Sequence, residues 1–120
     1  MSGREQRNFT QSLPRAERIA QLNDRLRQTG LGGRILVTRG VQFLPGFNSM
    51  ELALALRSYD EFDVDNDPHG ERDFGDLEFH GASLFWKIDY CDTELAYASP
   101  DPADPAVTIR ILTVMLTSEY

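Results

Sequence analysis

Apolar residues recur at helical spacing at Ala16, Ile19, Leu22 and Leu26, which predicts a first helix. Ser12 is placed to cap it, and Pro14 falls in its first turn, where a missing N–H costs nothing. Gly30 supplies the left-handed residue that ends it, and Leu31 is placed to fold back on the last turn. The run Arg34-Ile35-Leu36-Val37-Thr38 reads as a short strand, and Val41, Phe43 and Leu44 as a buried turn. A second helix carries the clearest start signal. Asn48 stands at the N-cap, Glu51 at the third position of a capping box, and Phe47 and Leu52 form a hydrophobic staple. Its core face is Leu52, Ala53, Leu56 and Tyr59, widened by Met50 and Leu54, with the end near Asp60.

After residue 73 the period changes from helical to alternating. Leu77 and Phe79 alternate with Asp76, Glu78 and His80; Leu84, Trp86, Ile88 and Tyr90 alternate with Phe85, Lys87, Asp89 and Cys91. A two-residue turn at Gly81-Ala82 closes a hairpin, and that register sets Leu77 opposite Trp86 and Asp76 opposite Lys87. From Val107 to Leu116 both alternating faces are largely apolar, as in a central strand buried on both sides. The expected order is α-β-α-β-β-β. The expected fold is α+β, two helices packed on a mainly antiparallel sheet of about four strands. Residues 1–11 read as a flexible lead-in and residues 12–120 as a single globular domain.

Charge divides the chain unevenly. Residues 58–105 hold fourteen acids against Arg72 and Lys87, a local charge of −12 within a net charge of −7. Such a stretch repels phosphate backbones and attracts basic partners. Arg15, Arg18, Arg25 and Arg27 read as the solvated face of the first helix, diluted by Glu17 and Asp24, so nucleic acid is not an expected partner. No apolar run reaches membrane-span length, and the N-terminus lacks the apolar core of a secretory signal. A single cysteine, Cys91, excludes an internal disulfide framework. The expectation is a small, acidic, cytoplasmic protein with no membrane association.

Candidate chemistry concentrates in one loop. Asp63, Asp65, Asp67, His69, Glu71 and Asp73 crowd between the second helix and the hairpin. Asp63-x-Asp65-x-Asp67 resembles the opening of a calcium loop, but Pro68 stands where an EF-hand needs glycine and Phe74 where it needs glutamate. A looser divalent site from Asp63, Asp65, Asp67, His69 and Glu71 is the alternative to a loop whose acids serve their own backbone. On that second view Asp67 turns the chain at Pro68, leaving His69 and Glu71 to meet a partner or an ion. The polar face of the hairpin adds Asp76, Glu78, His80, Lys87 and Asp89, with Lys87 either an acid–base group or a strand charge neutralised by Asp76. Binding candidates are therefore Asp65, Asp67, His69, Glu71, Asp73, Lys87 and Asp89. No Walker, nucleophile-elbow or His-Glu-x-x-His signature is present.

The segments NDPHGERDFG, FWKIDY, DPADP and ILTVMLTSEY, with the earlier GGRILVTRGVQFLP, resemble a small alphaproteobacterial family known as domain of unknown function 3768. The resemblance spans roughly residues 15–120 and implies a bacterial, cytoplasmic protein. It brings no activity and no catalytic residues. Two functions stand against each other: a non-enzymatic module whose acidic surface meets a basic protein partner, and a small metal-dependent hydrolase built on loop 63–73. A plain subunit role is the third. Convergence of the carboxylates in one cleft favours the enzyme; their splaying over a convex surface favours the module.

Overall fold

The computed structural model describes residues 13–120, so Ser12 and the lead-in 1–11 lie outside the described residues. Helix α1 (Arg15–Thr29) begins after Pro14 with no side-chain cap, and Gly30 ends it at φ 76° with its N–H on the Leu26 carbonyl. Leu31 does not fold back on the last turn; it is 58 % exposed. Strand β1 (Gly33–Val37) leads to a single-turn helix α2 (Arg39–Gln42). That turn buries Val41 but leaves Phe43 at the surface, so the expected buried turn is only partly one.

Helix α3 (Ser49–Ser58) starts where the sequence places it: Asn48 Oδ1 accepts from the N–H groups of Met50 and Glu51. The capping box is half-built, because the Glu51 carboxylate turns away to His80 Nε2 at 3.1 Å. Leu52 and Leu56 are buried, with Tyr59 just past the helix, whereas Met50, Ala53 and Leu54 are exposed. The expected wide core face is thus a narrow stripe, since this short helix meets the sheet along one line only.

The sheet runs β1-β4-β3-β2, with β2 Phe74–Phe79, β3 Ala82–Cys91 and β4 Ile109–Leu116. The β4–β3 and β3–β2 pairs are antiparallel and β1–β4 is parallel, so the fold is α+β on a mainly antiparallel sheet. The hairpin register differs from expectation by two residues. Leu77 faces Leu84, Gly75 faces Trp86, and Asp76 faces Phe85. The turn is His80-Gly81, both at positive φ (51° and 76°), which suits the twist of the strands better than a turn one residue later. An even shift preserves the faces, so Leu77 and Trp86 still share one.

That face is the core. Leu84, Trp86, Ile88, Leu112 and Val114 pack against Leu26, Val41, Leu52, Leu56 and Tyr59. Trp86 is wholly buried, with Tyr59 and Phe62 edge-on to it at centroid distances of 5.5 and 6.0 Å. Gly75 is required beneath them, because a Cβ there would lie 2.5 Å from Trp86 Nε1. The opposite face carries Phe74, Phe85, Ile109, Ile111 and Thr113, only half-buried, with Tyr120 edge-on to Phe74 and Phe85. Strand β4 is therefore central, with Arg110, Leu112 and Val114 buried on its helix side and, on the other, Met115 buried and the rest half-buried.

Candidate functional site

The acidic loop between α3 and β2 splits into two arrangements. In its first part the side chains serve their own backbone. Asp63 Oδ1 accepts from the N–H groups of Asp65 and Asn66, and Asn66 Oδ1 accepts from Asp63 N–H. Asn66 Nδ2 donates to the Glu61 carbonyl at 2.7 Å. Asp65 and His69 are exposed.

The second part is tied down. Asp67 Oδ1 accepts from Arg72 N–H at 3.0 Å, so Asp67 organises the turn, though through a donor further on than the groups next to Pro68. Arg72 sits at φ 53°, a left-handed conformation that surrounding contacts must hold. Those contacts come from α1. Arg72 Nε donates to both Asp24 oxygens and its terminal nitrogens donate to Glu17. Burial works against its charge, but the hydrogen bonds to Asp24 and Glu17 outweigh this and hold the guanidinium firmly protonated.

Glu71, expected to reach outward, is tied into the fold. Its carboxylate accepts from Tyr90 Oη at 2.8 Å, and its carbonyl accepts from Asn23 Nδ2 at 3.0 Å. Asn23 Nδ2 also donates to Tyr90 Oη, and Asn23 Oδ1 accepts from Arg110 Nε at 2.8 Å. Arg110 is 2 % exposed on the central strand; it donates further to the Pro102 carbonyl and lies 5.2 Å from the Tyr90 ring centroid. Burial lowers the Arg110 pKa and raises that of Tyr90. Burial likewise raises the Asp73 carboxyl, with Glu71 and Asp67 adding repulsion. This network joins α1, the loop and the sheet. Its members Asn23, Tyr90 and Arg110 carried no sequence signal as site residues.

Arg27 is a second correction. It is 4 % exposed rather than on a solvated face. Its Nη1 donates to the carbonyls of Leu56, Arg57 and Tyr59, closing the C-terminus of α3, and its Nη2 pairs with Asp24. Lys87 is a third. Its ammonium pairs with Asp89 at 3.1 Å on its own strand, not with Asp76, because the two-residue register shift places Phe74 opposite Lys87.

The five weak metal candidates Asp63, Asp65, Asp67, His69 and Glu71 are not brought together. Among the described residues no three His, Cys, Asp or Glu side chains converge around a point that could hold a cation. What the fold does assemble is an open depression of about 410 Å³ between the end of α3 and the outer edge of β2. Asp60, Glu61 and Glu78 line it beside Tyr59 and Leu77. None of these three carboxylates has a cation within 4.0 Å among the described residues. Asp60 and Glu61 were legible only as part of the acidic run.

No helix among the described residues is long and apolar enough to cross a membrane. No curated protein and no solved structure matches the chain. A family model does match, over residues 37–119, beginning at the last residue of β1 and leaving α1 ahead of the matched span. With most of its length in that match, the chain belongs to the family described as Protein of unknown function (DUF3768).

Proposed function

We propose that this chain is a non-catalytic protein-binding module of the bacterial cytoplasm that receives a basic segment of a partner protein on its acidic side. The observation that carries this reading is the depression bordered by Asp60, Glu61 and Glu78, whose carboxylates no cation among the described residues neutralises. The two cations of the acidic stretch are already engaged, Arg72 by Asp24 and Glu17 and Lys87 by Asp89. A partner arginine or lysine entering beside Tyr59 and Leu77 would gain both the carboxylates and apolar cover for its stem. The splaying of Asp63, Asp65 and Asp67 along the loop favours this over hydrolysis, which would need them around one point.

The test is an NMR titration of the intact chain with a short capped peptide alternating lysine and valine. Shifts should map to residues 58–61 and 76–78, weaken with salt, and fall at least tenfold in affinity on combined Asp60→Lys and Glu78→Lys substitution. Shifts that map elsewhere, or an affinity indifferent to those substitutions, would refute the reading. Hydrolysis of a phosphoester that depends on added Mg²⁺ or Mn²⁺ and on Asp65 would promote the enzyme instead.

A further inference from the structure

The opposite edge of the sheet has the opposite character. Among the described residues strand β1 pairs with β4 on one side only. Thr38 N–H reaches the Val114 carbonyl, so by the alternation of a parallel ladder Ile35 and Val37 turn their backbone groups outward. The Val37 carbonyl is covered by Gln42 Nε2 at 2.7 Å, which leaves the run from Gly33 to Ile35 without a partner on that side among the described residues. Beside this edge lies a groove of about 310 Å³ between β1 and α3, floored by Ile35, Val37, Leu52, Ala53 and Leu56. Met50 and Leu54, on the outer side of α3, are 75 % and 58 % exposed.

Exposed arginines flank the groove without lining it. Arg25, Arg34, Arg39 and Arg57 are all exposed, and none has a carboxylate within 4.0 Å among the described residues. Arg57 follows Ala53 by one helical turn, and the Arg25 stem lies 3.9 Å from where a Cβ on Gly32 would be, just ahead of β1. In a chain of net charge −7, Arg34 on the strand itself, its side chain alternating to the face opposite Ile35, and Arg25 and Arg57, one helical turn from the groove-lining Thr29 and Ala53, are a local reversal.

We propose that this edge binds an extended acidic segment of another protein, which adds a strand to β1 and lays alternate apolar side chains in the groove. Each part of that description answers a feature on the edge. The unpaired ladder groups require an extended backbone, the apolar floor requires aliphatic side chains at every second position, and the arginines require carboxylates. A second copy of this chain fits worse. Pairing β1 with itself about Ile35 would bring two sets of the same arginines together. The acidic edge of β2 is partly engaged, since Asp76 N–H already donates to Tyr59 Oη at 3.4 Å. This edge is separate from the acidic depression, so either reading can fail without the other.

The probe is a short capped peptide alternating glutamate and valine, titrated into the intact chain and followed by NMR. The expected result is saturable binding with a Kd below about 1 mM, weakened by salt, with shifts at residues 33–36 and 50–57. Arg34→Glu with Arg57→Glu should lower affinity at least tenfold, and Ala53→Trp, which fills the groove from an exposed position, should do the same. Unchanged circular dichroism shows that these surface variants still fold. The proposal is overturned by no binding at that concentration, by equal binding of the lysine–valine peptide at this edge, or by affinity indifferent to all three substitutions. It is also overturned if sedimentation shows self-association that Ala53→Trp abolishes, which makes a second copy the occupant. Salt-sensitive binding of random duplex DNA that displaces the peptide would assign the arginines to nucleic acid and overturn it as well.

Discussion

The two halves of the acidic loop have similar composition and different fates. Residues 61–66 bond to themselves through Asp63 and Asn66 and touch the core through Phe62, edge-on to Tyr59 and Trp86, and through the Glu61 carbonyl, which accepts from Tyr59 Oη at 3.3 Å. Residues 67–73 are fastened to α1 and the sheet through Glu71 and Arg72. Carboxylate density is therefore a poor guide to which acids are available. What decides it is whether a buried donor reaches the carboxylate itself, as Tyr90 Oη reaches Glu71 in the second half, whereas in the first half Tyr59 Oη reaches only a backbone carbonyl.

The severest way to break this contrast is Asn23→Leu. It deprives Arg110 Nε of its acceptor and the Glu71 carbonyl of its donor, so the loss should be about 3 kcal/mol or more, at roughly 1–3 kcal/mol per orphaned buried group. Urea denaturation measures it, and an unchanged midpoint would show that the network is not holding the loop. Phe62→Ala comes next, at about 2 kcal/mol for a half-buried aromatic, and should loosen residues 61–66 more than 67–73. Arg72→Ala should cost only about 1 kcal/mol, because its partners are partly solvated. Amide exchange sharpens that case: faster exchange at residues 70–73 with none added at 63–66 is the expected pattern.

Two aspartates give opposite pH responses. Burial raises the Asp73 pKa above its unfolded value, so its ionisation opposes folding at neutral pH, and that cost vanishes as pH falls through the raised pKa. The hydrogen bond from Arg15 lowers the Asp101 pKa, so its contribution is present above the unfolded value and lost as pH falls through the lowered one. Asp73→Asn should slightly stabilise the protein at neutral pH and Asp101→Asn slightly destabilise it. Both differences should shrink in acid, as melting curves at the two pH values will show. The smallest effect belongs to Asp65→Ala, within about 0.5 kcal/mol, since its exposed side chain carries no hydrogen bond among the described residues. A larger loss there would mean that the first half is anchored after all.

Local signals in the sequence translated well. Asn48 caps α3 and Gly30 closes α1 because both acts need only the residue and its immediate neighbours. The hairpin faces survived an error in register because the error was even, while the turn itself was misplaced: His80 takes a left-handed conformation that a glycine-first rule does not anticipate. Met50 and Leu54 looked like core and are surface, since periodicity reports an apolar stripe but not how much of it the sheet can cover. The network of Asn23, Tyr90 and Arg110 was illegible for a plainer reason. Its members are ordinary residues on separate elements, and only the β3–β4 pairing and the packing of α1 bring them into contact.

The parallel pairing of β1 with β4 bears on how the chain reaches this shape. The strand made first must wait for the strand made last, because β4 lies between β1 and β3. A chain emerging from the ribosome can form α1, α3 and the β2–β3 hairpin early, but it has no central strand until residue 116 is out. Until then the apolar residues of β1 and of the hairpin stay uncovered, and such non-local closure is slow. The sheet should therefore close in a step that depends on β4, with the nascent chain sensitive to proteases and to holding chaperones until that strand is in place.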